Sequence, residues 1–324
     1  MNVSAILLTR DTREMTLANA RRAGSALGPD DELVVVDNAS ADGTAEALAR
    51  EVPRARLLVL PANLGFARAA NLGAGAATGG ILLFLNSDAE LTAEALKALR
   101  AAFLAHPRAG AVGALLLDPD GPVQRSADGV PSLLSEIGLK PLLRLLDPGS
   151  WPGKGGAGAP VEVPSLVGAC LAVSREAFAA VEGFDERFFF FLEETDLCLR
   201  LRRCGWEVLL APTARVVHGQ GRTARKRRPM ARVEYDLSRY RFLRKHRGPA
   251  AAGLVWVATV LRLAGGCLLN GLGLPFSARL RDRAAVQGYR LAWHLLLCPP
   301  GWGLEAFPPP PAGAPAPSQA EVSP

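Results

Sequence analysis

Short apolar runs alternate with helical patterns through the first 117 residues, and this alternation constrains the fold more than any other feature. The strand-like runs are 3–8, 33–36, 56–60, 81–85 and 111–117. The helical segments are 12–27, 65–77 and 92–106, the last with Thr92 as its N-cap. A further helix begins at Asp42 or Thr44 and ends near residue 50. Repeated strand–helix–strand units predict an α/β fold with a mostly parallel sheet covered by helices on both faces.

The remainder of the chain is less regular. Residues 118–162 are rich in turn-forming residues, and the glycine-rich part at 149–158 is predicted to be a flexible loop. The later predicted elements are a strand at 166–173, a short helix with Ser174 as its N-cap, a helix at 196–203, and strands at 206–210 and 215–218. The apolar runs 250–261 and 263–269 are separated by Arg262, so they fall short of a clean spanning helix of roughly 20 apolar residues. An interfacial helix and a helix packed on the core both remain open.

Charge and cysteine content restrict the possible partners and compartment. The net charge of +6 is concentrated between Arg222 and Arg247, so this stretch favours an anionic partner or surface. A membrane-facing or phosphate-facing surface explains it more economically than nucleic acid, and a solvated helical face is the plain alternative. The five cysteines show no close zinc-ligand spacing, which favours free thiols in a reducing cytosol. The N-terminal segment reads as a first strand rather than a signal peptide.

Acidic and polar side chains follow the apolar strands at the points where they end. Asp37 follows the second strand, Asp88 the fourth and His218 the last. In an open α/β sheet, ligands bind outside the carboxyl ends of the strands. Each residue also has a plainer interpretation as a turn, capping or structural group. Taken together, they predict a site for a nucleotide, a divalent cation and a diphosphate at this edge.

Two familiar nucleotide-binding motifs are missing. A dinucleotide-binding fold needs a glycine-rich turn after the first strand, and residues 8–12 contain no glycine. The chain also lacks a Gly-x-x-x-x-Gly-Lys-Ser/Thr string. A nucleotide must therefore be held in another way, for which the segment 63–73 is a candidate because Gly65 permits close approach and a helix start favours anions.

The pair Glu193 and Glu194 follows four consecutive phenylalanines. Apolar surroundings and a neighbouring like charge both raise the pKa of a carboxyl group, as a general base requires. The alternative is that these acids stabilise the start of the helix at 196–203, which is the role we expect for Asp196. The other histidines, His106, His246 and His294, have no comparable strand-end context.

Five strings in this order resemble the family 2 glycosyltransferases, in particular the bacterial rhamnosyltransferase-like branch. The resemblance extends over about residues 1–245. The strings are 34–44 (VVVDNASADGT), 63–73 (NLGFARAANLG), 83–88 (LFLNSD), 183–200 (GFDERFFFFLEETDLCLR) and Gly205-Trp206 with the later His218.

This resemblance implies a GT-A fold, with a helical C-terminal extension, and inverting transfer from a nucleoside diphosphate sugar. It implies that the residues contacting the donor are Thr9, Asp37, Asn63, Arg68, Asn86 and Asp88. Asp88 and His218 would bind Mg²⁺ or Mn²⁺, with Asn86 replacing the first acid of the family's Asp-x-Asp motif. The family's Glu-Asp catalytic pair appears here as Glu193 and Glu194, and by position Glu194 would be the base.

The expected domain organisation follows from the resemblance. Residues 1–220 would form the GT-A catalytic domain, with a nucleotide-sugar half at 1–118 and an acceptor half at 119–220. Residues 221–305 would form a basic and apolar helical region, and 306–324 a disordered Pro/Ala-rich tail. The 149–158 loop would act as a lid, and 121–162 with the region after Gly219 would contact the acceptor.

The expected substrates are a dTDP-, UDP- or GDP-linked sugar donor and a glycan or lipid-linked glycan acceptor of cell-envelope or exopolysaccharide synthesis, with no nucleic acid. We expect a cytoplasmic protein, with peripheral contact to the inner face of the cell membrane through 222–275 as a hypothesis. A sugar-phosphate nucleotidyltransferase is one alternative, but it would need a glycine-rich basic loop after the first strand. A non-catalytic nucleotide- or glycan-binding protein is the other.

Overall fold

The computed structural model describes residues 1–136, 158–219, 228–272 and 278–297. Three predicted features fall wholly or mostly outside these ranges: the 149–158 loop, the 306–324 tail and the first part of the basic stretch.

A mixed sheet forms the centre of the described molecule. Its strands, with those of a small second sheet, are β1 (Val3–Thr9), β2 (Glu32–Asp37), β3 (Arg56–Val59), β4 (Ile81–Asn86), β5 (Ala89–Glu90), β6 (Ala109–Leu117), β7 (Ala127–Asp128), β8 (Val161–Glu162), β9 (Ser165–Leu166), β10 (Cys170–Ser174) and β11 (Glu207–His218). The main sheet has the order β3-β2-β1-β4-β10-β6-β11-β5, with β8 beside β11, while β7 and β9 pair separately.

The directions of the strands determine which strand ends lie together at one edge of the sheet. Strands β1 to β4 are parallel, as predicted. Strand β10 inserts antiparallel between β4 and β6, and β11 runs parallel to β6. Because β10 is antiparallel to both neighbours, β4, β6 and β11 point the same way. The carboxyl ends of β1, β2, β4 and β11 therefore lie along one edge of the sheet.

Helices cover both faces of the sheet, as the alternation predicted. The helices are α1 (Arg13–Ala26), α2 (Thr44–Glu51), α3 (Phe66–Ala76), α4 (Ala93–Ala105), α5 (Arg175–Ala180), α6 (Glu193–Arg203), α7 (Arg228–Arg247), α8 (Pro249–Leu272) and α9 (Ala278–Leu297). One buried cluster joins α1, α2 and α4 to residues such as Leu7 and Leu83, and the other joins α3, α5 and α6 to Ile6 and Phe84. Successive strand residues thus face opposite layers, which is why the runs are apolar throughout. The predicted α/β class is confirmed.

Three predicted boundaries are wrong. The strand expected at 166–173 is two strands, β9 in the small sheet and β10 in the main sheet. The helix expected at 196–203 begins three residues earlier, because Leu192 takes a left-handed conformation (φ 65°) and turns the chain directly into Glu193. The strands expected at 206–210 and 215–218 form one strand, β11, with a register shift between Ala211 and Arg215. The shift surrounds Pro212, which has no backbone N–H to donate to the ladder.

Three helices form the described part of the chain after residue 228. Helix α8 packs against both α7 and α9, which also contact each other. Asp236 of α7 lies 2.5 Å from Arg290 of α9 and 3.1 Å from Arg239 of α7 itself, and both ion pairs are buried. In the described ranges, one helix, Pro249–Asn270, is long and apolar enough to cross a membrane, and 22% of its most apolar stretch is buried inside the structure. The two apolar runs around Arg262 are thus one continuous helix, packed on its neighbours along one side.

Candidate active site

The structure brings the predicted site residues to one edge of the sheet. Thr9 pairs with Asp37 in the β1–β2 register, and Leu8 pairs with Asn86 in the β1–β4 register. His218 ends β11 at the same edge, because β11 runs parallel to β6, and β6 points in the same direction as β4. The ends of four strands thus converge here, as the sequence predicted.

Asp37 carries a buried acceptor atom. Its Oδ1 accepts hydrogen bonds from the Ser40 backbone N–H at 3.0 Å and from the Ser40 hydroxyl at 2.5 Å. Its Oδ2 is buried with no hydrogen-bond partner among the described residues, and burial raises the pKa of the carboxyl group. An unpaired buried acceptor is costly, so this atom is suited to accept a hydrogen bond from a ligand. The Thr9 hydroxyl, in contrast, lies 2.5 Å from Thr16 Oγ1 in α1.

Side-chain hydrogen bonds hold the segment after β3 in place. Asn38 donates to the Gly65 carbonyl at 3.1 Å and accepts from the Leu64 N–H at 2.8 Å. Asn63 accepts from the Gly65 N–H at 3.2 Å, so its amide oxygen serves the turn itself. Arg68 lies 3.6 Å from Glu186. These contacts place Asn63 and Arg68 beside the edge, in a loop and helix start that Asn38 fixes to the end of β2.

Asp88 and His218 face each other across a short gap. Asp88 Oδ1 lies 3.3 Å from His218 Nε2, and both side chains are mostly buried. The backbone N–H of Gly219 donates to the Asp88 carbonyl at 2.9 Å. Strand β5 pairs with the end of β11, matching His218 with Ala89, and this pairing brings the two residues together.

Gln124 fixes the tautomer of His218. Its Nε2 donates to the His218 carbonyl at 2.7 Å and to Asp118 Oδ1 at 2.9 Å, so Gln124 Oε1 is the atom left facing the imidazole. That oxygen lies 3.0 Å from His218 Nδ1, and since it can only accept, Nδ1 carries the proton. In the neutral ring, Nε2 then presents a lone pair to the Asp88 carboxylate.

Two lone pairs facing each other at this distance fit a shared cation. A neutral imidazole nitrogen and a carboxylate oxygen repel unless a proton or a metal ion lies between them. Among the described residues, no group of three or more His, Cys, Asp or Glu side chains is placed to hold a metal ion. Asp88 and His218 would therefore supply two positions, leaving the others for phosphate oxygens and water, which is a common arrangement in phosphate-metal sites.

Glu193 and Glu194 form the second half of the edge. Glu193 is 5% exposed, Glu194 is partly exposed, and Oε2 of each is buried without a hydrogen-bond partner in the described chain. Burial, with a further contribution from the charge of Asp128, raises the pKa of Glu194 to about 7. Burial, followed by the charge of Glu194, raises the pKa of Glu193 well above its usual range. A carboxyl group with a pKa near neutrality is suited to act as a general base.

Short contacts connect Glu193 and Glu194 to the ends of β2 and β4. Gly168, which precedes β10, packs against the Glu194 side chain, and the carbonyl of neighbouring Ala169 accepts from the Asn86 N–H at 3.0 Å. On the other side, Gly65 (φ 81°) has no room for a side chain because an added Cβ would lie 2.6 Å from the Phe189 carbonyl. Short connections therefore join the β2 and β4 ends to the acidic pair.

The residues 188–192, here called the Phe segment, aim the acidic pair. Phe191 (φ 73°) and Leu192 (φ 65°) are consecutive left-handed residues without being glycine. Such conformations are costly and persist only where the surroundings enforce them. The Phe66 N–H donates to the Phe189 carbonyl at 2.7 Å, and Ser238 Oγ donates to the Phe190 carbonyl at 2.8 Å. The strained turn is thus held from both sides and starts α6 at Glu193.

Sequence reasoning missed three supporting groups. Gln124 lies in the irregular stretch after residue 118, where no pattern marked it. His246 had no apparent context, yet its Nε2 lies 2.7 Å from Asp196 Oδ1. Lys245 Nζ lies 2.6 Å from the same oxygen, so Asp196 anchors α7 to α6 in addition to lying in the first turn of its helix. Lys245 and His246 lie in a basic run, and nothing in the sequence indicated that they contact Asp196.

Comparison with known proteins agrees with this geometry. The model of glycosyl transferase family 2 matches residues 12–179, and a model described as the N-terminal domain of galactosyltransferase matches residues 157–246. The chain is 35% identical over 245 residues to the N-acetylglucosaminyl-diphospho-decaprenol L-rhamnosyltransferase of Mycobacterium tuberculosis, covering 69% of this chain and 78% of that protein. It is 32% identical over 234 residues to the O-antigen biosynthesis protein RfbC of Myxococcus xanthus, covering 68% of this chain and 17% of that protein.

Among solved structures, the mannosyltransferase PcManGT from Pyrobaculum calidifontis, in complex with GDP-Man and Mn²⁺, superposes with a TM-score of 0.52. The match covers 91% of this chain and 87% of the other at 20% identity, so it bears on the fold alone. The expected fold, a GT-A glycosyltransferase fold with a helical C-terminal region, is confirmed.

Proposed function

The chain belongs to glycosyl transferase family 2, and from this membership we propose that it is an inverting enzyme with Glu194 as its general base. It is a hexosyltransferase that takes a sugar from a nucleotide sugar. The acceptor we propose is a hydroxyl of a lipid-linked glycan in cell-envelope or exopolysaccharide synthesis, which the name of the mycobacterial relative supports. Residues 1–220 form the catalytic domain of this proposal, and 221–305 its helical extension.

The observation that carries the proposal is the pairing of His218 Nε2 with Asp88 Oδ1 on the same edge as Glu194. A divalent ion held there would neutralise charge on the departing diphosphate. An imidazole ligand is softer than Mg²⁺ prefers, so the donor set favours Mn²⁺. Mn²⁺ is also bound in the mannosyltransferase structure.

The chain's own residues perform the remaining tasks. Asp37 Oδ2 accepts a hydrogen bond from the nucleoside, and Asn63, Arg68 and Asn86 lie around the donor. Glu194 takes the proton of the acceptor hydroxyl, and that oxygen attacks the anomeric carbon from the side opposite the diphosphate. The bond from the anomeric carbon to the diphosphate oxygen breaks, so the configuration inverts.

A thermal-shift experiment tests the donor site. UDP, dTDP and GDP are each added to the full chain with and without Mn²⁺. At least one nucleotide should raise Tm by several degrees only when Mn²⁺ is present, because ligand at 100 times its Kd adds about 2.7 kcal/mol. Asp88→Ala should lose this shift, and Asp30→Ala, an exposed acid at the opposite edge, should keep it. Equal shifts in both variants would contradict the assignment.

We also propose that α8 contacts an anionic membrane surface. Leu254, Val257, Leu261 and Leu268 are each 44–67% exposed, and their spacing places them on one face of the helix. Arg262 is exposed, about 100° around the helix from Leu261, at the edge of this apolar face. Exposed Arg232, Arg244 and Arg247 on α7 add positive charge. An apolar face flanked by basic residues is typical of a helix lying in the membrane interface.

Flotation with phosphatidylglycerol-containing vesicles tests this contact. The triple variant Leu254→Ser, Leu261→Ser, Leu268→Ser should lose vesicle binding, and Leu104→Ser, an equally exposed leucine on α4, should retain it. Wild-type protein that stays off the vesicles and elutes as a dimer, with the triple variant monomeric, would show that a second copy covers this face and would overturn the membrane proposal.

A further inference from the structure

A single side chain of α7 binds both ends of the segment that carries the acidic pair. Lys245 Nζ lies 2.6 Å from Asp185 Oδ2 and 2.6 Å from Asp196 Oδ1. Asp185 comes three residues before the Phe segment, and Asp196 comes four residues after it, so the acidic pair lies between them. The ammonium group therefore joins the two ends of residues 185–196, here called the acid loop.

Other contacts of α7 fall between these two ends. Ser238 Oγ donates to the Phe190 carbonyl at 2.8 Å, in the middle of the acid loop. Lys245 Nζ itself lies 5.9 Å from the centre of the Phe188 ring, within the distance of a cation–π contact. Helix α7 thus contacts the acid loop at its start, in its middle and at its end.

Both partners of Lys245 are carboxylates at neutral pH. Burial opposes the ionisation of Asp185, but contacts from Arg187 and Lys245 hold its pKa below the usual range. The pKa of Asp196 is also lowered despite its burial. Lys245 therefore meets a negatively charged oxygen at each end of the loop, and charge-assisted contacts of this kind are about twice as strong as neutral hydrogen bonds.

Each carboxylate keeps another cation when the ammonium group is removed. Arg187 Nη2 donates to Asp185 Oδ2 at 2.6 Å, and Arg200 Nε donates to Asp196 Oδ2 at 2.7 Å. Loss of Lys245 thus leaves neither acid without a positively charged partner. What it removes is the connection between the two ends of the acid loop.

The acid loop needs this connection because of its strained turn. Phe191 and Leu192 are left-handed, a conformation that persists only where the surroundings enforce it. Relaxation of the turn would change the direction in which α6 starts and would move Glu194, which lies two residues further on. A displacement of about 1 Å at a reacting group can cost about 10²-fold in rate.

We propose that Lys245 is a positioning residue that closes the acid loop and thereby aims Glu194 at the acceptor hydroxyl. The inference rests on the proposed function of Glu194 as the base. It extends the catalytic unit beyond residue 220, because turnover then depends on a side chain of α7 that contacts no substrate.

Hydrogen exchange measured on the full chain tests the closure without any substrate. Lys245→Met removes the ammonium group and keeps an apolar stem of similar length. The backbone amides of the acid loop should then exchange about tenfold faster or more, because a hydrogen bond to a charged group is lost. The Phe66 N–H, which donates to the Phe189 carbonyl, should follow them. Lys97→Met, at an exposed lysine of α4, is the matched control and should change neither.

A second variant separates closure of the loop from other effects of the lysine. Asp185→Asn weakens the contact at the start of the loop and leaves Lys245 paired with Asp196. It should speed exchange of the same amides, and Lys245→Met should add little to it in the double variant. Unchanged exchange in the acid loop, equal acceleration over the whole chain, or additive effects of the two substitutions would overturn the proposal. If Lys245→Met does not fold, Asp185→Asn alone must loosen the loop.

Turnover shows whether the closure positions the base. Lys245→Met should lower kcat by up to about 10²-fold, while the KM for the donor and the Tm shift with nucleotide and Mn²⁺ stay at their wild-type values. A wild-type kcat with a loosened loop, or an equal loss of donor binding, would overturn the positioning role. If Glu194→Gln transferred sugar at the wild-type rate, the base assignment would fail, yet the exchange measurements would still report whether Lys245 closes the loop.

Discussion

The two halves of the active edge are positioned in different ways. On the proposed donor side, Asp37 and His218 are the last residues of β2 and β11, Asp88 lies two residues after β4, and the strand register brings them together. On the base side, Glu193 and Glu194 follow a turn that holds two left-handed residues and is covered by α7. Strand pairing is enough to position the residues proposed to bind the sugar donor. A general base with a raised pKa also needs burial, and here packing from distant segments supplies it.

The same contrast occurs within α6. Glu194 and Asp196 lie two residues apart in its first turn. Burial without a cation raises the pKa of Glu194, whereas the pKa of Asp196 is lowered although it is buried, because His246, Arg200 and Lys245 contact it. In the proposed mechanism Glu194 is the reactive acid, whereas Asp196 fixes the helix through its ion pairs. Three substitutions test these two comparisons.

The largest effect is expected on turnover from Glu194→Gln. Loss of the general base should lower kcat by about 10²- to 10⁴-fold, while the Tm shift with nucleotide and Mn²⁺ stays at the wild-type value. The measurement is sugar transfer by mass spectrometry with the donor that binds. Glu176→Gln, an exposed acid at the start of α5 on the opposite edge, is the control and should be fully active. An active Glu194→Gln would remove the distinction between the two halves.

A second effect, on stability, should have opposite signs for the two acids of α6. Asp196→Asn should lower the free energy of unfolding by about 3 kcal/mol, as expected when one partner of a buried ion pair is removed. Asp196 has a lowered pKa, so its stabilisation is fully present at pH 7 and is lost only as the pH falls toward its folded pKa.

Glu194→Gln should instead stabilise the protein at pH 8. The pKa of Glu194 is raised, so the folded state resists its ionisation and loses stability as pH rises from about 4.5 to about 7. The gain should therefore be present at pH 8 and absent at pH 4. Urea unfolding of both variants at the two pH values is the measurement. Destabilisation by both at pH 8 would mean that Glu194 has a structural role like that of Asp196.

The smallest effect is expected from Gln124→Leu. This change removes the acceptor that holds the proton on His218 Nδ1, so Nε2 is no longer reserved for a ligand. Loss of such a supporting contact typically costs 10- to 100-fold in metal affinity, so the Mn²⁺ concentration for half-maximal activity should rise by about that factor. Gln287→Leu in α9, which removes an amide oxygen that accepts from Asn270 of α8 at 2.8 Å, is the control and should leave it unchanged. An unchanged Mn²⁺ requirement in Gln124→Leu would separate His218 from the metal.

The sequence predicted the donor side better than the base side, because the donor-side features depend mainly on residues that are neighbours in the sequence. The strand ends and the caps at Thr92 and Ser174 depend on neighbouring residues, and both caps form hydrogen bonds as expected. The antiparallel insertion of β10 could not be predicted because it depends on which strands compete for its edges. The start of α6 was missed because left-handed Phe191 and Leu192 contradict local propensity, and their conformation is maintained by contacts from Phe66 and Ser238.

The most direct test of the account is the position of the cation. Crystals of the full chain grown with Mn²⁺ and the nucleoside diphosphate that gives the largest thermal shift should be measured at the manganese absorption edge. The account predicts one anomalous peak within coordination distance of both Asp88 Oδ1 and His218 Nε2, with phosphate oxygens completing the shell. A bound nucleotide with the manganese peak away from this pair would contradict it.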